Sequence, residues 1–449
     1  MIYRILRFIL RIAIHIFYKK VAISRPSVSI SDGPLIIMSN HPNTLMDPLL
    51  LAIIFKQKVG FLANASIFVH AVVNRVFDYF HVIPVYRQQD VKAGQEIDNQ
   101  DSFRACYDYL EQNNTLVIFP EGTSIHELKL RKIKTGGVRI GFGAEARRAF
   151  GLGVKILPVG IYYNHPTQFR SKVHINIGEP ISLQNYRSEY QQNEIATVQQ
   201  LTNELRIKME TLTIHTENAE QEALFYKIKK LYKPQLKEEL DAKNDHKDFV
   251  INQEIAHAIR FFHLHVPTQY QELKQKVEAL DELSTQVKSK SNFDKSYVRL
   301  WSMTVLKSLY LILASPLFVM GLAGNYLPFQ LPSWLARKIS QEREYHASIT
   351  MILGMITFPL YYTLLTWILR HYLTLHWEQA TLCFIAFPLF GIYALHYYKF
   401  AKRMRHYMSV LFSSSKKEQL RNLKLLKTSV THQLDNAKQM YLDRLNHHD

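Results

Sequence analysis

The chain has 449 residues, a length suited to two or three folded units rather than one core. A formal charge of +17 calls for an anionic partner, either nucleic acid, an acidic lipid surface or a phosphate-bearing substrate. Only two cysteines, Cys106 in a helical stretch and Cys383 in a very apolar one, argue against a disulfide framework and make a reducing compartment the default.

Residues 1–20 place Arg4, Arg7, Arg11 and His15 on one helical stripe, with Ile and Leu filling the rest. Arginines inside the apolar run, and no small-residue cleavage site, argue against a cleaved signal peptide and a true span. We expect a helix lying in the membrane surface with its cations toward the headgroups, a packed first helix being the alternative. From about 33 to 180, short apolar runs (LIIMS, VGFLA, HVIPV, TLVIF, VKILPVGIYY, VHINI) alternate with helix-like stretches. That alternation predicts an α/β unit with a partly parallel sheet.

Between about 186 and 300 the composition turns to Gln, Glu, Lys and Leu, punctuated by Pro234 and Pro267, and predicts a helical extension. Three apolar segments follow, roughly 303–325, 347–369 and 379–398, each near the length of a bilayer crossing. The first is the weakest, holding Lys307, Pro316, Gly321 and Gly324. The link after the second holds Tyr372 and Trp377, which suit a membrane interface. Lys288, Lys290, Lys295 and Arg299 precede the segments, and Lys399, Lys402, Arg403 and Arg405 follow them. Both flanks therefore read as cytoplasmic. We expect a re-entrant or surface-lying first segment and then a hairpin of two full spans, with Arg337, Lys338 and Arg343 also inside. The last forty or so residues read as a charged amphipathic helix, solvated by default.

After LIIMS comes the polar turn Asn40-His41-Pro42-Asn43-Thr44-Leu45-Met46-Asp47-Pro48. An imidazole at a strand end can take a proton from an attacking hydroxyl if a carboxylate such as Asp47 orients it and steadies its charge. The pair alone is weak, because an N-cap Asp or a hydrogen-bonded core His is commoner. TLVIF runs into Phe119-Pro120-Glu121-Gly122-Thr123-Ser124, a second polar turn at a strand's C-terminal end, where ligands bind in open α/β sheets. Twenty histidines show no H-E-x-x-H or paired Cys/His spacing, so no metal site is expected. No nucleic-acid reading motif is recognisable either.

NHPNTLMD, VIPVYR, FPEGTS and ILPVGIYY, in this order and spacing, resemble the four sequence blocks of the glycerolipid acyltransferase family, most of all its glycerol-3-phosphate and 1-acylglycerol-3-phosphate acyltransferases. The resemblance covers roughly 20–185. It implies direct transfer, with His41 as general base, Asp47 orienting it, and no covalent acyl-enzyme. The lack of a G-x-S-x-G elbow agrees with this. It also implies no bound cofactor, with acyl-CoA or acyl carrier protein as co-substrate. Glu121, Gly122, Thr123 and Ser124 would shape the acceptor site, and Leu157, Pro158 and Val159 would line the acyl side or form a plain buried strand.

Two features depart from the family pattern. Five residues, not the commoner four, separate His41 from Asp47, as in the fungal-type enzymes. Ser124 stands where an arginine usually follows FPEGT, and no lysine occurs in FLANASIF. Arg87 is the best replacement for holding phosphate, followed by Lys134 or Arg131 of the run Lys129, Arg131, Lys132, Lys134 that precedes Thr135-Gly136-Gly137 and a helix start.

The expected organisation is a surface helix at 1–20, an α/β acyltransferase domain at 21–185, a helical extension at 186–300, membrane-embedded segments at 301–400 and a basic helix at 401–449. The expected function is membrane-bound O-acyl transfer to glycerol-3-phosphate or 1-acylglycerol-3-phosphate, the catalytic domain facing the cytoplasm and the partners being a phospholipid membrane, an acyl thioester and the phosphorylated acceptor. The alternatives are an acyltransferase for another lyso-lipid and a non-catalytic module binding acidic lipid.

Overall fold

The computed structural model describes residues 2–26, 33–55, 57–68, 70–86, 99–241, 244–286, 297–411 and 414–446. It divides into two compact units, one of residues 1–218, 244–253 and 342–348, the other of 219–243, 254–341 and 349–449. The first unit is built from α1 (Ile2–Phe17), β1 (Lys20–Ser24), β2 (Leu35–Ser39), α2 (Met46–Ile54), β3 (Val59–Asn64), α3 (Ala71–Tyr79), β4 (Val82–Val85), α4 (Gln100–Glu111) and β5 (Thr115–Ile118). It continues through α5 (Gly136–Arg147), β6 (Lys155–Tyr163), β7 (Lys172–Ile177), β8 (Ile181–Ser182), α6 (Arg187–Gln192) and α7 (Glu194–Leu212).

The strands form one sheet in the order β1-β7-β6-β2-β5-β3-β4, with β8 also paired to β6. β6, β2, β5, β3 and β4 run parallel; β7 turns antiparallel to β6 and takes β1 as a parallel neighbour. The partly parallel α/β sheet expected from the alternating runs is thus present. β2 and β5 are buried at every residue, as central strands covered on both faces must be. The core continues into α7 through Leu201, Leu205 and Met209, so the compact α/β unit extends beyond residue 185.

Asn176 Nδ2 donates to the Leu212 carbonyl at 2.9 Å, and a Cβ on Gly160 of β6 would collide with that same carbonyl. Gly160→Ala should therefore push the end of α7 off the sheet. Overpacking of this kind costs about 1–3 kcal/mol, and we expect the upper end because the obstacle is backbone. A lower thermal midpoint of the detergent-solubilised protein would register it, and an unchanged midpoint would refute it.

α1 is apolar on two sides. Ala13, Ile14 and Phe17 are buried, while Ile5, Phe8, Ile9, Ile12 and Ile16 are exposed. The expectation that its cations face headgroups is corrected for two of them. Arg7 and Arg11 both donate to the Ile53 carbonyl at 3.2 Å, and Arg7 also reaches the Phe55 carbonyl. The free carbonyls and negative dipole end of α2 offer these guanidiniums better partners than water does.

The second unit is helical: α8 (Ala219–Glu239), α9 (Asp245–His265, its start lying in the first unit), α10 (Pro267–Gln286), α11 (Tyr297–Ile339), α12 (His346–Leu373, its first turn likewise in the first unit), α13 (Trp377–Leu411) and α14 (Ser414–Asn446). Pro267 opens α10 as a first-turn proline, whereas Pro234 lies inside α8. The terminal helix α14 is not freely solvated, since Leu423, Val430 and Leu434 are buried and Lys438 pairs with Glu239 of α8 at 2.7 Å.

Among the described residues, three helical stretches are long and apolar enough to cross a membrane: 306–339, 343–373 and 377–405. The glycines that made the first look weak have a packing reason. A Cβ on Gly321 would strike the Phe390 carbonyl of α13, so these backbones approach closely, as small residues allow between apolar helices. Asn325 Nδ2 donates to the Phe387 carbonyl at 2.9 Å, and the Tyr362 hydroxyl of α12 donates to Asn325 Oδ1 at 2.5 Å, joining all three helices. Lys288, Lys290 and Lys295, used above for sidedness, lie outside the described residues.

Candidate active site

Three adjacent parallel strands, β6, β2 and β5, end at one edge of the sheet and deliver Tyr163, His41 and the Phe119–Ser124 turn. Asn40 fixes the exit from β2 like an extra rung, its Nδ2 donating to the Ile161 carbonyl at 2.9 Å while its Oδ1 accepts the Ile161 N–H at 2.7 Å. The next residue, His41, stacks on Phe119 with ring centroids 4.0 Å apart and 15° between planes.

The structure brings His41 and Asp47 together, with Nδ1 2.8 Å from Asp47 Oδ2. A carboxylate cannot donate, so Nδ1 carries the hydrogen and Nε2 is left as an acceptor. Asp47, in the first turn of α2, is fully buried, and His41 is 19% exposed. The carboxylate accepts two further bonds, from the Asn43 N–H to Oδ2 at 2.7 Å and from the Tyr163 hydroxyl to Oδ1 at 2.6 Å. Burial first, and the Asp47 charge second, hold the Tyr163 hydroxyl well above its ordinary pKa, so it stays a donor.

Glu121 is used by the backbone. One oxygen accepts the His41 N–H at 3.0 Å and the other the Arg131 N–H at 3.1 Å. Burial raises its pKa, and the two backbone bonds work against that. It ties the histidine turn to the basic loop. Gly122 has φ +74, and Lys134 Nζ lies 2.6 Å from where a Cβ would stand, so glycine both permits the turn and makes room for the ammonium. Lys134 is also held through its N–H to the Pro120 carbonyl at 2.8 Å. Arg131 is paired with Glu127 instead. Ser124 Oγ accepts the Thr44 N–H at 2.7 Å, Thr123 is half-buried beside it, and Arg87 lies outside the described residues. Leu157 and Val159 are fully buried in β6.

The residues missed in the sequence are Phe119, Asn43, Tyr163, Tyr18, His126 and Glu344. Phe119 and Asn43 stand inside the quoted motifs, and Tyr163 closes ILPVGIYY, so position alone could have flagged them. Asn43 Nδ2 reaches the Pro166 carbonyl at 3.2 Å and the Tyr18 hydroxyl at 3.4 Å, a contact with no local signature. Burial lowers the pKa of His126, whose Nε2 sits 3.3 Å from Asn43 Oδ1. Among the described residues no group of three or more His, Cys, Asp or Glu is placed to hold a metal ion. Cys106 is fully buried, and burial pushes its thiol up to about 12.

Residues 20–162 match the family model described as Acyltransferase. That match, over the segment that builds the His41 site, defines an acyltransferase-family domain. Two curated relatives from Saccharomyces cerevisiae align with the same region. Glycerol-3-phosphate O-acyltransferase 2 is 28% identical over 144 residues, which is 32% of this chain and 19% of the yeast protein. Glycerol-3-phosphate O-acyltransferase 1 is 26% identical over 152 residues, 33% of this chain and 20% of the yeast protein. The chain thus spans about a fifth of the length of the curated relatives it matches. A solved structure, the 1-acyl-sn-glycerophosphate acyltransferase PlsC from Thermotoga maritima, aligns with 45% of this chain and 79% of its own at 21% identity and a TM-score of 0.31.

Proposed function

We propose that the chain is a membrane-bound O-acyltransferase that moves a fatty acyl group from acyl-CoA or acyl carrier protein to the hydroxyl of glycerol-3-phosphate or 1-acylglycerol-3-phosphate. The observation that carries the reading is the His41 Nδ1 to Asp47 contact of 2.8 Å, which leaves Nε2 as a base at a strand end. As the acceptor hydroxyl attacks the thioester carbonyl, Nε2 takes its proton and Asp47 steadies the imidazolium. The tetrahedral adduct then expels the thiolate, which takes the proton from the imidazolium. Lys134, folded over Gly122, supplies a cation for the acceptor phosphate, and the N-terminus of α5 is close in sequence to add N–H donors. The three apolar helices and the outward apolar face of α1 support membrane attachment, and the basic flanks support a cytoplasmic catalytic face.

One observation favours a second acceptor class. Ser124 Oγ is engaged by the Thr44 N–H, so the position after FPEGT offers a phosphate no charge, as a zwitterionic lyso-lipid acceptor would allow. Acyl transfer by the purified protein to glycerol-3-phosphate, 1-acylglycerol-3-phosphate and a zwitterionic lyso-lipid separates the two. Lys134→Ala should raise KM for the phosphate monoester about tenfold or more, the loss of a charge-assisted bond, with KM for the acyl donor unchanged. Equal use of all three acceptors and an indifferent Lys134 would defeat the leading version. A non-catalytic lipid-binding module would show no transfer at all.

A further inference from the structure

Residues 342–348, which lead out of the link after α11 into the first turn of α12, belong to the compact α/β unit. Ala347 and Ser348 are almost fully buried. The segment meets the His41–Asp47 turn directly at Thr44 and, through His126, at Asn43. Thr44 Oγ1 donates to the Glu344 carbonyl at 2.7 Å. The His126 N–H donates to Glu344 Oε1 at 3.2 Å, and the His126 ring in turn meets Asn43 Oδ1 at 3.3 Å.

Thr44 has φ +31, a region that a β-branched residue avoids because its Cβ crowds the backbone. The residue holds that conformation because it is bonded on both sides, its N–H to Ser124 Oγ and its hydroxyl to Glu344. The turn it makes carries the machinery. The Asp47 N–H reaches back to the Thr44 carbonyl at 3.3 Å and the Met46 N–H to the Asn43 carbonyl at 2.9 Å, so α2 starts where Asp47 can meet His41. Ser124 and the 342–348 segment together hold it.

We infer that the 342–348 loop is a working part of the acyltransferase site, with Thr44 and Glu344 as positioning residues that keep Asp47 on His41. The inference rests on the proposed acyl transfer for its kinetic readout. It also has a consequence independent of catalysis: residues 342–348 lie on the same face of the membrane as the rest of the α/β unit.

The kinetic arm compares Thr44→Val with Thr44→Ser and Glu344→Ala with Glu344→Gln. Thr44→Val should lower kcat at least tenfold while KM for the acyl donor changes less than twofold. Thr44→Ser, which keeps the hydroxyl, should stay within about twofold of wild type. Glu344→Ala should lower kcat about fivefold, and Glu344→Gln, which still accepts from His126, should restore it. Wild-type kcat in both Thr44→Val and Glu344→Ala overturns the inference, as does a loss that the conservative variants fail to rescue. The second arm introduces Arg343→Cys, with Glu189→Cys as the marker of the α/β domain, each in a chain carrying Cys106→Ala and Cys383→Ala. In sealed vesicles an impermeant maleimide should label both cysteines from the same side; labelling from opposite sides overturns the inference. An inactive wild type would sink the proposed reaction while this arm still decides the placement of the loop.

Discussion

His41→Ala is expected to lower kcat for acyl transfer about 10³-fold with the protein still folded. A positioned general base contributes roughly 10²–10⁴ in rate. At about 1.4 kcal/mol per factor of ten, the loss corresponds to about 4 kcal/mol of transition-state stabilisation. The fold survives because the bond from residue 41 to Glu121 is made by the backbone N–H, which alanine retains, and because the ring is not part of the sealed core. Release of free thiol from the acyl donor, followed with saturating acceptor, measures the rate. A variant within tenfold of wild type would remove His41 from the mechanism and leave the lipid-binding module as the better reading.

Asp47→Asn should cost about 10²-fold in kcat with KM little changed. The amide is nearly isosteric. Its oxygen can keep the bonds from the His41 ring and the Asn43 N–H, and its NH₂ can turn on the Tyr163 hydroxyl, which then accepts. Geometry and tautomer are thereby preserved, and what disappears is the negative charge that stabilises the imidazolium. A change confined to the transition state appears in kcat. Tyr163→Phe should be much milder, under tenfold, because two donors remain on the carboxylate. The double variant His41→Ala with Asp47→Asn should be no slower than His41→Ala alone, since the carboxylate acts only through the ring. A full further hundredfold loss in the double variant would show that Asp47 does something else.

His41 and Asp47 were legible in the sequence through the family resemblance of the motifs around them, the six-residue separation being weak by itself. The strands were legible directly: a buried parallel strand must be a short apolar run, and LIIMS and TLVI are buried throughout. Resemblance placed Glu121 at the acceptor site. In the fold its carboxylate ties two backbone N–H groups together, because both turns converge on one sheet edge and leave those donors without strand partners. The arginines of α1 matched an interfacial stripe. Their direction was decided by the open end of α2, which no periodicity within α1 could reveal.

The sequence by itself determined the α/β core, the His41 and Asp47 pair, the turn that carries Gly122 and the apolar lengths of the C-terminal helices. Each is written in residues close together in the chain, as a motif or an apolar run. Only the tertiary structure decided which groups hold that pair in place. Tyr163 reaches Asp47 across 116 positions, and Thr44 reaches Glu344 across 300. A hydrogen bond between distant segments leaves no period, spacing or composition for a sequence to show. It exists because sheet order sets β6 beside β2, and because the chain, after running through α11, returns to the turn that carries His41 and Asp47.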